Sequence, residues 1–198
     1  AIDRLHTTAA SHSRVMVVEL MGRSTGWIAI MAGIAGGAHA IMIPEFPATL
    51  EDVCDQIQSH REQGHNYALV VVSEGVKLLH RSGETKEVTA SQEKDAFGHA
   101  RLGGVGNQLS SAIEERTGLE TRAAVLGHIQ RGGTPTAHDR ILATRYGVKT
   151  AEMILSGEWG RMAALKGDQV EAIPLEAAVD ELKKVPEDLY QMAQIFCG

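Results

Sequence analysis

Three short polar segments follow apolar runs and hold the residues best suited to chemistry. They are Met21-Gly22-Arg23 after RVMVVEL, Ser73-Glu74-Gly75 after YALVVV, and Gly127-His128-Ile129-Gln130-Arg131 after RAAVL. Together they offer two guanidinium groups, an imidazole and a carboxylate. Arginine forks match phosphate oxygens in pairs. A carboxylate accepts hydrogen bonds from sugar hydroxyls. Glycine lets a backbone come close to a ligand. The set suits a sugar phosphate or another polyhydroxy anion. Taken singly, each segment is equally an ordinary loop.

For these residues to act together, the runs before them must be neighbouring strands. Beta-rich runs lie at Arg14–Leu20, His39–Ile43, Tyr67–Val72 and Arg122–Leu126. Helix-period stretches separate them at Gly26–Ala35, Leu50–Glu62, Gly106–Arg116 and Ala137–Leu155. This alternation predicts a three-layer α/β/α sandwich of Rossmann type with a mainly parallel sheet. The continuous valine runs fit strands covered on both faces. In such sheets ligands bind beyond the carboxyl ends of the strands, where all three segments fall. Thr49 is a fitting N-cap for the helix at Leu50.

After Gly157 the pattern changes. RMAALKGDQVEAIPL reads as two short strands around a Gly-Asp turn, and Pro174–Val185 as a helix. The expected division is residues 1–156 as one α/β domain and 157–198 as a tail returning toward another lobe. Gly75–Gly104 is an irregular polar excursion. AIDRLHTT reads as the end of a helix that starts earlier, so the chain is expected to be a fragment.

Arg14 and Arg122 stand at the amino ends of their strands. About 17–20 Å of strand, at ~3.3 Å per residue, separates each from the polar segment that follows it. They are expected either to cap strands on a solvated edge or to serve a neighbouring subunit's site.

Competing motifs are weaker. GRSTG, Gly22–Gly26, matches G-x-S-x-G between a strand and a helix, with Ser24 as nucleophile of a serine hydrolase. The last histidine, His138, stands near the start of a helix with no obvious acid on a preceding strand-end loop, which does not suit that triad. GGVGNQ, Gly103–Gln108, reads as the start of a helix rather than a phosphate cradle, and no Walker A motif is present. Trp27, Trp159 and the methionines read as packing residues.

The chain has 198 residues, 43% hydrophobic, with a net charge of −6. That length supports a sizeable core. It has no basic block for nucleic acid and no apolar run of membrane-spanning length. Cys54 and Cys197 form no CxxC pair, which fits a reduced, cytoplasmic protein.

Read together, RVMVVELMGRSTGWIA, VVSEG and ETRAAVLGHIQRGGTPTAHDRILATRYG resemble the 6-phosphofructokinase family. The ending ELKKVPEDLYQMAQIFCG resembles its actinobacterial-type branch. The resemblance covers essentially the whole chain. It implies that Met21, Gly22 and Arg23 hold fructose 6-phosphate, with Arg23 near the reacting end and the transferring phosphoryl group. Glu74 is implied to bind sugar hydroxyls, and His128 and Arg131 the 6-phosphate side. Arg14 and Arg122 are implied to reach the 6-phosphate in an adjacent subunit of a homo-oligomer, a dimer or tetramer. The implied reaction is the glycolytic phosphoryl transfer to the sugar's 1-hydroxyl, with Mg²⁺ and with ATP, the commoner donor, or pyrophosphate. The family's nucleotide loops and its aspartate-bearing catalytic segment have no match and are expected before Ala1. The chain alone is therefore expected to bind the acceptor sugar without kinase activity. A non-catalytic sugar-phosphate-binding domain is the alternative of a different class. Three histidines, His6, His39 and His65, stand where well-studied bacterial members carry charged effector ligands. They are expected as solvated surface residues, with a pH-sensitive interface as the alternative.

Overall fold

The computed structural model describes residues 1–82, 85–86 and 104–197. Helix and strand alternate. Ile2–His12 forms α1, Val15–Leu20 β1, Trp27–Gly36 α2, Ala40–Met42 β2, Leu50–Glu62 α3 and Ala68–Ser73 β3. A minimal hairpin follows, β4 (Leu78–Leu79) with β5 (Thr85–Lys86). Then come α4 (Val105–Thr117), β6 (Thr121–Val125), α5 (Ala137–Ser156), β7 (Arg161–Lys166), β8 (Gln169–Pro174) and α6 (Glu187–Cys197). Two compact units result: Ala1–Gln130 with Lys184–Gly198, and Arg131–Lys183.

The first unit is built on a parallel sheet of order β2-β3-β1-β6. Side chains alternate across it, and both faces are covered. Val15, Val17, Val70 and Val72 pack under Leu50, Val53 and Ile57 of α3 and Leu109 and Ile113 of α4. Met16, Val18, Leu69 and Val71 pack under Ile2 and Ala9 of α1, Ala29 and Ile30 of α2, and Ala193 and Cys197 of α6. These two cores are the physical reason the strands read as unbroken apolar runs, and they make the expected three layers.

Local chemistry fixes the helix ends. The Thr49 hydroxyl accepts from Asp52 N–H at 3.1 Å, and the Asp52 carboxylate accepts from Thr49 N–H at 2.9 Å. This capping box starts α3 where the sequence placed it. Gly104 starts α4 with φ +86. Inside that turn lies Glu19, a buried carboxylate that accepts from Gly104 N–H and, at 2.7 Å, from Gly106 N–H. The described part of the glycine-rich segment thus surrounds the protein's own charge at a helix N-terminus.

The second unit has its own logic. β7 and β8 form an antiparallel hairpin, with Lys166 opposite Gln169 across Gly167-Asp168, and α5 packs on it. A second capping box, Thr136 with Asp139, starts α5.

The compact units divide the chain near residues 130 and 183, since α5 packs with β7 and β8 while α6 packs with β2 and α2. Two sequence expectations need correction. Pro174–Val185 is not a helix. Pro174 ends β8 opposite Arg161, and only the 3-10 turn Glu176–Ala178 follows. Leu175, Val179 and Leu182 have helical spacing, but they are exposed and find no surface to pack on. Trp159 is 73% exposed rather than buried. Most of the expected irregular stretch Gly75–Gly104, including Gly103, lies outside the described residues.

Candidate functional site

β1 lies between β3 and β6, so the loops after these three parallel strands leave the same sheet edge side by side. Hydrogen bonds then bind the first loop to the second. Glu74 N–H donates to Leu20 O at 2.8 Å, carrying the pairing of β1 and β3 one residue past the strands. Gly22 O accepts from the Ser73 hydroxyl at 2.6 Å and from Gly75 N–H at 3.0 Å. Gly22 N–H donates to Glu74 Oε1 at 3.2 Å.

Two glycines are required here. Gly22 has φ +151, and a Cβ on it would sit 2.5 Å from Ser73 Oγ. A Cβ on Gly75 would sit 1.8 Å from Arg23 O. Side chains at these places would drive the loops apart. Arg23 is exposed on this scaffold, and Glu74 is half-buried.

The third loop is the 3-10 turn Gly127–Arg131, entered at Gly127 with φ +49. The Gln130 side chain reaches Met21 N–H at 3.3 Å and Gly127 O at 3.3 Å. His128, within this turn, is exposed. Arg131 is the turn's last residue, also exposed, and begins the second unit.

The fold therefore gathers Met21, Gly22, Arg23, Glu74 and His128 at one sheet edge. Arg14 and Arg122 lie at the opposite end of the strands, with Arg122 beside Met16 in register. Both pair with Glu120, at 3.3 Å and 2.9 Å, and Arg122 also with Glu114 at 3.4 Å. Ser24 is exposed, and no histidine among the described residues bonds it. A nucleophile elbow needs that base.

Two carboxylates outside these positions matter as well. Glu45 accepts from Gly26 N–H, at 3.0 and 2.9 Å to its two oxygens, and from Val185 N–H at 3.2 Å. It caps α2 and fixes the far end of the loop that carries Arg23. Sequence reading missed it because its partners lie far along the chain. Glu19, likewise unseen, secures α4 beside β1.

A hollow of about 310 Å³ opens near these loops, lined by Ile2, Leu20, Ile28, Ala32 and Leu126. Its lining is mainly apolar, with Asp3 and Gln130 also on it, and holds none of the arginines. Among the described residues no three His, Cys, Asp or Glu side chains are grouped as metal ligands, and no helix is long and apolar enough to cross a membrane. Cys54 and Cys197 are free and buried, and burial pushes each thiol up to about 11.

Of the three histidines expected at the surface, His65 is exposed, whereas His6 and His39 are half-buried. His39 and His60 rings lie 3.9 Å apart, and His60 stacks on His65 at 4.1 Å. His6 meets His39 edge-on at 5.7 Å, and Tyr67 stands edge-on to His6, His39 and His60. Only His65 of the row is exposed.

A family model described as Phosphofructokinase matches residues 1–154. A pyrophosphate–fructose 6-phosphate 1-phosphotransferase of Amycolatopsis methanolica is 51% identical over 199 residues, taking in 100% of this chain and 57% of that protein. An ATP-dependent 6-phosphofructokinase of Corynebacterium efficiens is 47% identical over 198 residues, taking in 100% of this chain and 56% of that one. The solved T-state phosphofructokinase of Pichia pastoris matches with a TM-score of 0.71 at 33% identity, over 98% of this chain and 20% of that one. The chain thus spans about 57% of the length of the curated relatives it matches.

Proposed function

The chain belongs to the phosphofructokinase family, and from that premise we propose that it forms the fructose 6-phosphate-binding portion of a 6-phosphofructokinase. The observation that carries this reading is the bonded cluster of Gly22, Ser73, Glu74 and Gly75, which fixes Arg23 and Glu74 beside each other at the carboxyl edge of the sheet.

In this reading each group has one task. Glu74 Oε1 is held by Gly22 N–H, so Oε2 is the oxygen left to accept from a sugar hydroxyl. Arg23 faces the reacting end, where its guanidinium offsets the negative charge that develops as the phosphoryl group moves to the 1-hydroxyl. Met21 and Gly22 supply the backbone that the sugar packs on. His128 and Arg131 bind the 6-phosphate. Arg14 and Arg122, too far along the strands for the same sugar, reach the 6-phosphate of an adjacent subunit in a homo-oligomer.

The donor is ATP or pyrophosphate, supplied from outside these loops. The family's Mg²⁺ does not fit the groups present. Glu74 is the one carboxylate of the three loops, and one of its oxygens is already engaged. The setting proposed is cytoplasmic glycolysis.

Calorimetric titration with fructose 6-phosphate tests the assignment. Saturable binding is expected, weakened about tenfold or more by Glu74→Ala or Arg131→Ala, as for loss of a hydrogen bond to a charged group. Unchanged affinity in either variant removes that residue from the site.

A further inference from the structure

Gln130 sits between His128 and Arg131, yet its side chain is turned back into the protein. Its amide oxygen accepts from Met21 N–H and its amide nitrogen donates to Gly127 O, each at 3.3 Å. One planar group thus uses both polarities, one toward the loop after β1 and one toward the start of its own turn. Gly22, next to Met21, is in turn bound to Glu74. A continuous run of bonds therefore joins Glu74, Gly22, Met21, Gln130 and Gly127 across three adjacent strand ends.

We infer that Gln130 is a positioning residue for the acceptor site: its amide brackets the Met21 loop to the Gly127 turn and so sets where His128 stands relative to Arg23 and Glu74. The inference rests on the fructose 6-phosphate reading of these loops. Without the bracket, Met21–Arg23 keeps its bonds to Ser73, Glu74 and Gly75, but the described hydrogen bonds no longer tie it to Gly127–Gln130. Fructose 6-phosphate would then have to order them on binding, at a cost in affinity. Gln130 is half-buried at the surface, so the fold depends on it far less than the site does.

The bracket's polarity gives a readout that a simple packing role does not. In Gln130→Leu both bonds are lost. In Gln130→Glu the ionised carboxylate still accepts from Met21 N–H but meets Gly127 O without a proton. Protonated, it donates to Gly127 O and accepts from Met21 N–H, as glutamine does. A carboxyl facing a carbonyl titrates above its ordinary value of about 4.3.

The experiment is titration of wild type and both variants with fructose 6-phosphate at pH 8, 6.5 and 5, with melting temperatures recorded alongside. Expected are wild-type melting temperatures, an affinity about tenfold weaker in Gln130→Leu at every pH, and an affinity in Gln130→Glu that climbs back toward wild type as pH falls. Wild-type affinity in Gln130→Leu overturns the inference. So does a Gln130→Glu deficit that stays constant with pH, which also decides the matter if Gln130→Leu misfolds. Absence of binding by the wild type overturns the acceptor-site reading itself and takes the bracket with it.

Discussion

Arg14 and Arg122, on neighbouring strands, are joined through one carboxylate: Glu120 Oε1 lies 3.3 Å from Arg14 Nη2 and 2.9 Å from Arg122 Nη2. Arg14 Nε is buried with no acceptor among the described residues. The pair is thus held together by a shared carboxylate. Because these ion pairs are partly exposed, Arg14→Ala should change stability by no more than about 1 kcal/mol. In the assembled oligomer it should weaken fructose 6-phosphate binding about tenfold or more. In a verified monomer it should change nothing. Equal loss in both states contradicts the trans assignment.

Gly75→Ala tests how tightly the loops are packed. A methyl group 1.8 Å from Arg23 O cannot be accommodated without moving Arg23. The variant should keep the sheet, whose core lies elsewhere, and lose most fructose 6-phosphate affinity. Circular dichroism and titration on the same sample separate the two. Wild-type affinity in Gly75→Ala would show that the position of Arg23 is unimportant.

The histidine row makes the fold acid-sensitive. Burial first, then the neighbouring His60, His6 and His65, lower His39 to about 4. Its Nδ1 also accepts from Leu69 N–H at 2.8 Å, a bond that protonation there would break. His60 is lowered too, by burial and by His65. The unfolded chain therefore binds protons that the folded one refuses between pH 6.5 and about 4. Stability should fall as pH drops through that window. His60→Phe keeps a ring in the stack and removes a buried Nε2 that lacks a partner among the described residues. Its melting temperature should depend less on pH between 6.5 and 4 than that of wild type. An identical slope would exclude His60 from the effect.

At lower pH the sensitivity passes to Asp52. The Thr49 hydroxyl first, then Arg81, hold its carboxyl down at about 2. The stability it contributes is present above its unfolded value near 4 and is lost as pH falls toward 2. Thr49→Ala should cost about 1 kcal/mol at neutral pH and flatten that acid loss. Chemical denaturation at pH 7, 4 and 2 measures both, and a neutral Thr49→Ala at pH 7 would contradict the capping role.

How much of this was legible in the sequence follows from the range of the forces involved. The strands and α3 were readable because valine runs and a Thr-Asp cap act over a few residues. The polar segments after β1, β3 and β6 were readable as neighbours because a parallel sheet puts the carboxyl ends of adjacent strands together. Glu45 and Gln130 were not, since their partners are 19, 140 and 109 residues away. α6 was missed although Pro186, two acids at its start, and Leu189, Ala193 and Cys197 at helical spacing signalled it. The stretch before it misled for the opposite reason. Leu175, Val179 and Leu182 have the period of a helix without the burial that would make one.

The most direct test of the acceptor-site account is the crystal structure of this chain with fructose 6-phosphate. The sugar should lie beyond the carboxyl ends of β1, β3 and β6, with a ring hydroxyl on Glu74, the 6-phosphate at His128 and Arg131, and the 1-hydroxyl end toward Arg23. A sugar phosphate seated elsewhere, such as in the apolar hollow beside Ile28 and Leu126, would contradict it.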